Sequence, residues 1–330
     1  MSFWKDKAVL VTGGAGFAGS HVVEELLRRD PSVRVTVADD LSSGRRENLR
    51  SVYKKVRFVR GDLRELENAV TACRGQAVIL HLAARVWGVD YNQKHPASMF
   101  RDNALLAAQV LEAARLCEAE RFLMTSSVCV YPRDASIPTP EAEGFLGTPE
   151  PTNEGYGWAK RMGEFMSRAY HREHGLKVAV VRPANAYGPR DHFESEHSHV
   201  ISALIRRAVR GDDPLKVWGD GSQTRSFLYV EDFARGLVDA CERHAECDPL
   251  NLGTTEEVTV RALAETVLRL SGSKARLEFD PGQPSGQPRR ACDSSRAEEV
   301  LGFAPRVSLE EGLRKTIEWY RPRAKKASAA

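Results

Sequence analysis

Residues 8–19 read Ala8-Val9-Leu10-Val11-Thr12-Gly13-Gly14-Ala15-Gly16-Phe17-Ala18-Gly19, an apolar run that breaks into glycines. Gly14, Gly16 and Gly19 satisfy GxGxxG, and Gly13, Gly16 and Gly19 satisfy Gx2Gx2G. Glycines at these spacings permit a tight turn, close approach of backbone to a pyrophosphate, and close helix–strand packing. The anion then rests on the positive N-terminus of the next helix, expected from Ser20 to Arg29. The glycines alone are weak. A strand before them, a helix after and an acid at the end of the next strand make the stretch a dinucleotide cradle, with Phe17 and Ala18 inside it.

That acid is Asp39, 20 residues beyond Gly19 and followed by Asp40. A carboxylate there accepts from ribose hydroxyls and repels a 2′-phosphate, so NAD is expected in preference to NADP. Arg45 and Arg46 pull the other way. Asp62-Leu63 is expected beside the adenine, and Leu82-Ala83-Ala84 offers small residues where backbone passes the cofactor.

Outward from the cradle, β-rich runs at Arg34–Ala38, Val56–Arg60, Ala77–Leu82, Arg121–Ser126 and Lys177–Arg182 alternate with helical stretches. Ala104–Cys117 and Tyr156–His174 are two of those helices. This rhythm is that of a doubly wound parallel sheet, an α/β Rossmann-type fold. After Arg182 the rhythm changes to short strands near Lys216–Trp218 and Phe227–Val230, with helices His199–Val209, Val260–Leu270 and Leu309–Tyr320. The expected division is a dinucleotide-binding domain of residues 1–182 plus about 226–252, and a smaller α/β substrate lobe of 183–225 and 253–330. The basic tail after Tyr320 is expected to fray.

Composition narrows the class. The 330 residues carry 48 Lys+Arg against 45 Asp+Glu, a formal net charge of +3. The basic residues are dispersed among acids, which argues against nucleic acid or an anionic membrane as partner. No window approaches the ~18 apolar residues of a membrane span. Six scattered cysteines without a CxxC pair read as free thiols in a reducing cytoplasm.

Tyr156-Gly157-Trp158-Ala159-Lys160 puts a phenol and an ammonium four residues apart on one helix face. A nearby cation favours phenolate, which brings the tyrosine toward general-base duty. Thr125-Ser126-Ser127 closes the fifth strand and supplies the serine such a pair works with. His192, His197 and His199 with Asp191, Glu194 and Glu196 could be read as a metal cluster, but HxH without a suitably spaced third ligand is poor for zinc, and no metal is expected.

Together these motifs resemble the extended short-chain dehydrogenase/reductase family, whose members modify nucleotide-diphosphate sugars. The similarity runs from TGGAGFAG through HLAA, YGWAK and RPANAYGP to WGDGSQTRSF. It implies a hydride-transfer triad of Ser127, Tyr156 and Lys160, with Asn103 in support. Cys129, two residues past the serine, resembles the thiol of the GDP-L-fucose synthase and GDP-mannose 3,5-epimerase branches. There a cysteine and a residue at the His199 position form an acid/base pair. Lys160 is expected to favour the Cys129 thiolate. The resemblance places Asn185, Val200, Arg207, Trp218, Arg225 and Arg290 on the substrate side, the arginines suiting a diphosphate. It also implies a homodimer built on the Ala104–Cys117 and Tyr156–His174 helices. Trp87 stands where the fucose synthases carry glycine.

The leading expectation is therefore a redox-neutral, NAD-dependent epimerase of a GDP-hexose. Transient oxidation at C4 would acidify the C3 and C5 hydrogens for Cys129 and His199. The alternative is a fucose-synthase-like 3,5-epimerase/4-reductase that starts from a 4-keto-6-deoxy sugar and consumes NADPH. A non-catalytic dinucleotide sensor fits the intact triad poorly.

Overall fold

The computed structural model describes residues 2–193, 198–283 and 287–328. The chain begins β1 (Ala8–Thr12), α1 (Phe17–Arg29), β2 (Arg34–Asp39), β3 (Val56–Arg60), α2 (Leu66–Cys73) and β4 (Val78–His81). It continues α3 (Val89–Lys94), α4 (Pro96–Leu116), β5 (Arg121–Thr125), α5 (Glu154–His174), β6 (Lys177–Pro183) and β7 (Asn185–Tyr187). Then come α6 (Val200–Arg210), β8 (Leu215–Trp218), β9 (Thr224–Tyr229), α7 (Val230–Arg243) and β10 (Leu250–Leu252). The last elements are β11 (Glu257–Thr259), α8 (Val260–Ser271), β12 (Leu277–Asp280), β13 (Arg289–Arg290), α9 (Ser295–Leu301) and α10 (Leu309–Ser328).

Seven strands form one sheet in the order β3-β2-β1-β4-β5-β6-β10, and every neighbouring pair is parallel. Both faces are covered, and the alternation of side chains shows how. Val9, Val11, Val78, Leu80 and Leu123 pack with α1 and α7 residues such as Val22, Leu26 and Leu237. Their neighbours Leu10, Ile79 and Phe122 pack the other way, against Val110 and Leu111 of α4. Period-two strands with two apolar faces can only sit inside such a sandwich. Chain order reverses between β1 and β4, and a cleft opens at such a switch point, beyond the carboxyl ends of the strands.

The remaining elements surround β9, which pairs antiparallel with β11 and parallel with β13 and β7; β8 and β12 form a separate parallel pair. Ile201, Leu204, Ile205 and Ala208 make one buried stripe along α6, and Val260, Leu263, Ala264 and Val267 make another along α8. Both stripes meet Leu313, Ile317 and Tyr320 of α10 in one core.

Several boundaries differ from the sequence reading. α1 starts at Phe17 instead of Ser20, because a glycine in the first turn is tolerated where its missing side chain is needed for packing. α4 begins at Pro96, with proline in its first turn. α7 was not foreseen. The tail stays helical to Ser328. No helix of the described residues is long and apolar enough to cross a membrane.

Candidate active site

The glycine turn sits at the β1–β4 switch point. Gly13 has φ +67, and a Cβ there would lie 2.8 Å from the Ala83 nitrogen and Cα. A Cβ on Gly19 would lie 2.1 Å from the Gly13 carbonyl oxygen, so α1 presses directly onto the turn. The first turn of α1, with Phe17, Ala18 and Gly19, therefore starts at the cleft end of β1, where the free amides of a helix terminus suit an anion. Thr12 Oγ1 accepts from the Leu82 and Ala83 amides (3.2 and 3.1 Å) and is 2.9 Å from His81 Nδ1. Burial, aided by the Lys160 charge, pushes His81 down to about 3. It stays neutral, and with Thr12 Oγ1 already accepting from two amides, the threonine hydroxyl is left to donate to Nδ1. A cradle that any side chain would fill, floored by Leu82, Ala83 and Ala84, fits a dinucleotide.

Asp39 plays a more structural part than its spacing suggests. It is buried, and its carboxylate accepts from the Ala15 amide (3.0 Å) and the Leu41 amide (2.8 Å). Burial raises its pKa against those two bonds. It thus ties the glycine turn to the end of β2 while still lining the cleft. Asp40 pairs with Arg85 (3.3 Å) and Asp62 with Arg64 (2.6 Å), so two guanidiniums not anticipated from sequence stand at this rim. Leu63 is buried beside them. Asn103 does not reach the chemistry. It clamps the loop after β4, accepting from the Arg85 amide (2.9 Å) and donating to the Arg85 and Met99 carbonyls (3.0 and 2.8 Å).

β5 ends at Thr125, and Ser127 caps a short turn over Val128–Val130 by accepting from the Cys129 amide (3.1 Å). Ser127 lies close enough to Tyr156 to favour its phenolate. Lys160 donates to the Thr125 carbonyl (2.7 Å), with its Nζ 5.4 Å from the centre of the Tyr156 ring. The expected lowering of the tyrosine pKa is overturned. Burial pushes the phenol well above its ordinary value, Cys129 adds to this, and Ser127 only partly opposes it. Burial also lowers Lys160 to about 8, against the pull of Cys129 and Glu164. One turn on, Glu164 is buried against Arg182 (2.7 Å) and takes the Ser126 hydroxyl, which anchors this stretch of α5 to the sheet.

His199 caps the N-terminus of α6. Its Nδ1 lies 3.3 Å from the Asp191 carboxylate, which also accepts from the His192 amide (2.8 Å) and the Ser202 hydroxyl. Burial opposes a charged imidazole, but Asp191 outweighs it and holds His199 above its ordinary pKa. Asp191 itself is buried, yet these partners keep its pKa low. Its role was missed because it lies eight residues before its partner, across a loop. In that loop Arg190 takes φ +73, held by Glu24 of α1 (2.7 Å), while His21 of α1 bonds the Pro189 carbonyl (3.1 Å). Glu194, Glu196 and His197 of the metal alternative lie outside the described residues. Among the described residues no three His, Cys, Asp or Glu side chains gather as a metal site.

Gly13, Gly16, Asp39, Ser127, Cys129, Tyr156, Lys160, Asp191 and His199 line one cleft of about 930 Å³, which also takes in Asn185, Val200, Arg207, Trp218, Arg225 and Arg290. Arg225 is lowered to about 10, first by burial and then by Arg290, with Glu150 opposing. Arg290 donates to the Val128 carbonyl (2.9 Å), next to Cys129. Arg207 is committed elsewhere, to the Lys216 carbonyl (2.5 Å), and its neighbour Arg206 also lines the cleft. Asn185 reaches the Ser226 carbonyl (3.4 Å). Trp218 is 47% exposed, an uncovered aromatic face at the cleft. Trp87 stands 6.2 Å from the His192 ring.

Residues 9–253 match the model of the NAD dependent epimerase/dehydratase family. The chain is 33% identical over 321 residues to GDP-L-fucose synthase 1 of Arabidopsis thaliana, covering 96% of this chain and 94% of that one. It is 31% identical over 322 residues to a Streptomyces dTDP-4-dehydro-6-deoxy-D-allose reductase, covering 96% and 97%. Among solved structures, the NAD complex of Thermus thermophilus UDP-glucose 4-epimerase superposes with a TM-score of 0.83 at 30% identity, covering 95% and 99%. With its switch-point cradle and its Ser127–Tyr156–Lys160 set, the chain belongs to the NAD-dependent epimerase/dehydratase family of enzymes.

Proposed function

We propose that this enzyme is a 3,5-epimerase/4-reductase of a GDP-linked 4-keto-6-deoxyhexose, the reaction type of a GDP-L-fucose synthase. One observation carries the reading: Cys129 and the Asp191-braced His199 share a cleft with the Ser127–Tyr156–Lys160 set. Hydride transfer at C4 needs only that set. A second acid/base pair has work to do only where protons leave and return at carbons flanking a ketone. The redox-neutral GDP-hexose reading has the same pair, but a fucose synthase and a 4-dehydro-6-deoxy sugar reductase among the relatives move the weight to net reduction.

A substrate that arrives with a C4 ketone already has acidic hydrogens at C3 and C5. Cys129 takes or returns a proton on one face, and His199, its proton held more tightly by Asp191, serves the other. Tyr156, kept protonated by burial, is poised to give its proton to the C4 oxygen. Ser127 orients that phenol, and Lys160 supplies positive charge beneath it. When bound, the dinucleotide supplies hydride to C4. Gly13, Gly16, Phe17, Ala18 and Gly19 would hold its pyrophosphate, and Asp39, Asp40, Asp62 and Leu63 its adenosine end. The two carboxylates at the end of β2 favour NADH, whereas the reductase reading by resemblance favours NADPH. Arg225 and Arg290 suit the substrate diphosphate. A homodimer would cover the exposed Phe100, Leu105, Trp158 and Phe165 of α4 and α5.

The test offers a GDP-linked 4-keto-6-deoxyhexose in D₂O with NADH or NADPH, followed by NMR and by absorbance. Deuterium at C3 and C5 with stoichiometric loss of the reduced cofactor is expected. Reduction without deuterium would leave a simple ketoreductase. Deuterium uptake alone, with a fully reduced GDP-hexose also accepted, would restore the redox-neutral epimerase. Cys129→Ala should abolish uptake and keep cofactor binding.

A further inference from the structure

One short turn carries both Ser127 and Cys129, and its two ends are fastened to the same buried ion pair. The turn runs over Val128–Val130 with Ser127 as its cap. Just before it, Ser126 gives its hydroxyl to Glu164 of α5. Arg182 of β6 grips both oxygens of that carboxylate, through Nε (2.8 Å) and Nη2 (2.7 Å). Just after the turn, the same guanidinium donates through Nη1 to the Tyr131 hydroxyl (3.1 Å) and to the Glu141 carbonyl (2.6 Å). Tyr131 in turn donates to Asn251 Oδ1 (2.6 Å). Glu164 and Arg182 are each 1% exposed, and neither lines the cleft, so both reach the turn only through those two hydroxyls.

Two charges buried this deeply are a poor source of stability, because well-packed apolar side chains of similar volume do as well. What a bidentate pair supplies is fixed geometry. Met124 of β5 packs on Gly163 of α5, and the Ser126 amide extends the β5–β6 ladder by bonding the Val181 carbonyl (2.7 Å). Side chains alternate along extended backbone, so Ser126 follows Met124 toward α5 and Ser127 turns the other way. The grip of Glu164 on Ser126 therefore sets the direction of the Ser127 hydroxyl. Tyr131 stands two residues past Cys129 and fixes the other end, where Arg161 also donates to the Val130 carbonyl (2.9 Å).

We infer that the Glu164–Arg182 pair is a positioning device for the turn, acting on Ser127 through the Ser126 hydroxyl and on Cys129 through the Tyr131 hydroxyl. The Cys129 half rests on the epimerase/reductase reading above. The Ser127 half needs only hydride transfer by the Ser127–Tyr156–Lys160 set.

Ser126→Ala and Tyr131→Phe each remove one linking hydroxyl and leave the ion pair itself intact. With a GDP-linked 4-keto-6-deoxyhexose, reduction is followed by absorbance, and deuterium uptake by NMR in D₂O without reduced cofactor. A shift of about 1 Å at a reacting group costs on the order of 100-fold, so a partial loosening should cost about tenfold at the affected end. Ser126→Ala should lose this in kcat for reduction, and Tyr131→Phe in deuterium uptake, both with the KM for cofactor unchanged. With deuterium in the transferred position of the cofactor, the isotope effect on kcat should rise in Ser126→Ala and fall in Tyr131→Phe. A generally loosened fold does not move it in opposite directions. An unchanged rate at either end overturns the two-ended device, and so does an equal loss of both rates accompanied by a lower Tm in each variant. If the unmodified enzyme reduces the ketone without deuterium uptake, the epimerase reading fails and Ser126→Ala alone decides the positioning role. If it does neither, the proposed reaction fails and the positioning role goes with it.

Discussion

Asp191→Asn tests the acid/base assignment with little change of shape. The Asp191 side chain is 1% exposed and serves His199, His192 and Ser202 together. An asparagine can keep its oxygen toward His199 and His192 while its NH₂ replaces the oxygen facing Ser202, whose hydroxyl rotates to accept. The geometry survives and the charge does not. A hydrogen bond to a charged group contributes about 1–1.5 kcal/mol more than one between neutral groups. The lower end of that range applies here, because the His199 side chain is 39% exposed and its field is partly screened. About 1 kcal/mol is a roughly fivefold fall in the proton affinity of the imidazole, and in its protonated fraction wherever the pH lies above both pKa values. Without Asp191, burial is left unopposed and His199 drops below its ordinary pKa. Deuterium uptake at C3 and C5, followed by NMR across pH, should therefore slow, by up to about fivefold on the alkaline side of the profile. Its alkaline limb should move to lower pH, with the affinity for reduced cofactor unchanged. The same rate and the same pH profile in Asp191→Asn would refute the bracing of His199 by Asp191.

Three further outcomes follow from the geometry. Lys160 loses its ammonium as pH rises through about 8, so the reduction rate should fall above that pH. Lys160→Arg, which stays charged, should lose that limb whatever its absolute rate, and an identical limb in both would assign it elsewhere. Gly19→Ala drives a methyl into the Gly13 carbonyl at 2.1 Å; overpacking of about 1–3 kcal/mol should pry α1 off the turn. Titration of NADH fluorescence should then show weakened binding, and undiminished affinity would contradict the cradle. Phe165 is 56% exposed on α5, and Phe165→Glu should turn a dimer into a monomer by light scattering; a wild type that is already monomeric would remove the homodimer.

The doubly wound sheet was legible because its strands are short apolar runs separated by helix-length segments, and β1 and β3 begin and end where periodicity places them. Ser127, Cys129, Tyr156, Lys160 and His199 were legible because each stands at a fixed offset in a motif. Asp191 was not, since its pairing with His199 depends on a loop turned by the left-handed Arg190. The Tyr156 shift was misjudged because a cation four residues along is visible in a sequence, whereas the burial that outweighs it is set by the packing of α5 on β5. Asp39 was found at the right place for a partly different reason: its carboxylate is taken up by backbone amides that only the folded turn aims at it.

The clasp between the Pro189–Asp191 loop and α1 has a mechanical consequence. Arg190, in an uncommon backbone state, pairs with Glu24, and His21 bonds the Pro189 carbonyl, so the segment that aims His199 is bolted to the helix that follows the glycine turn. A displacement of α1 is therefore passed on to the segment that carries His199.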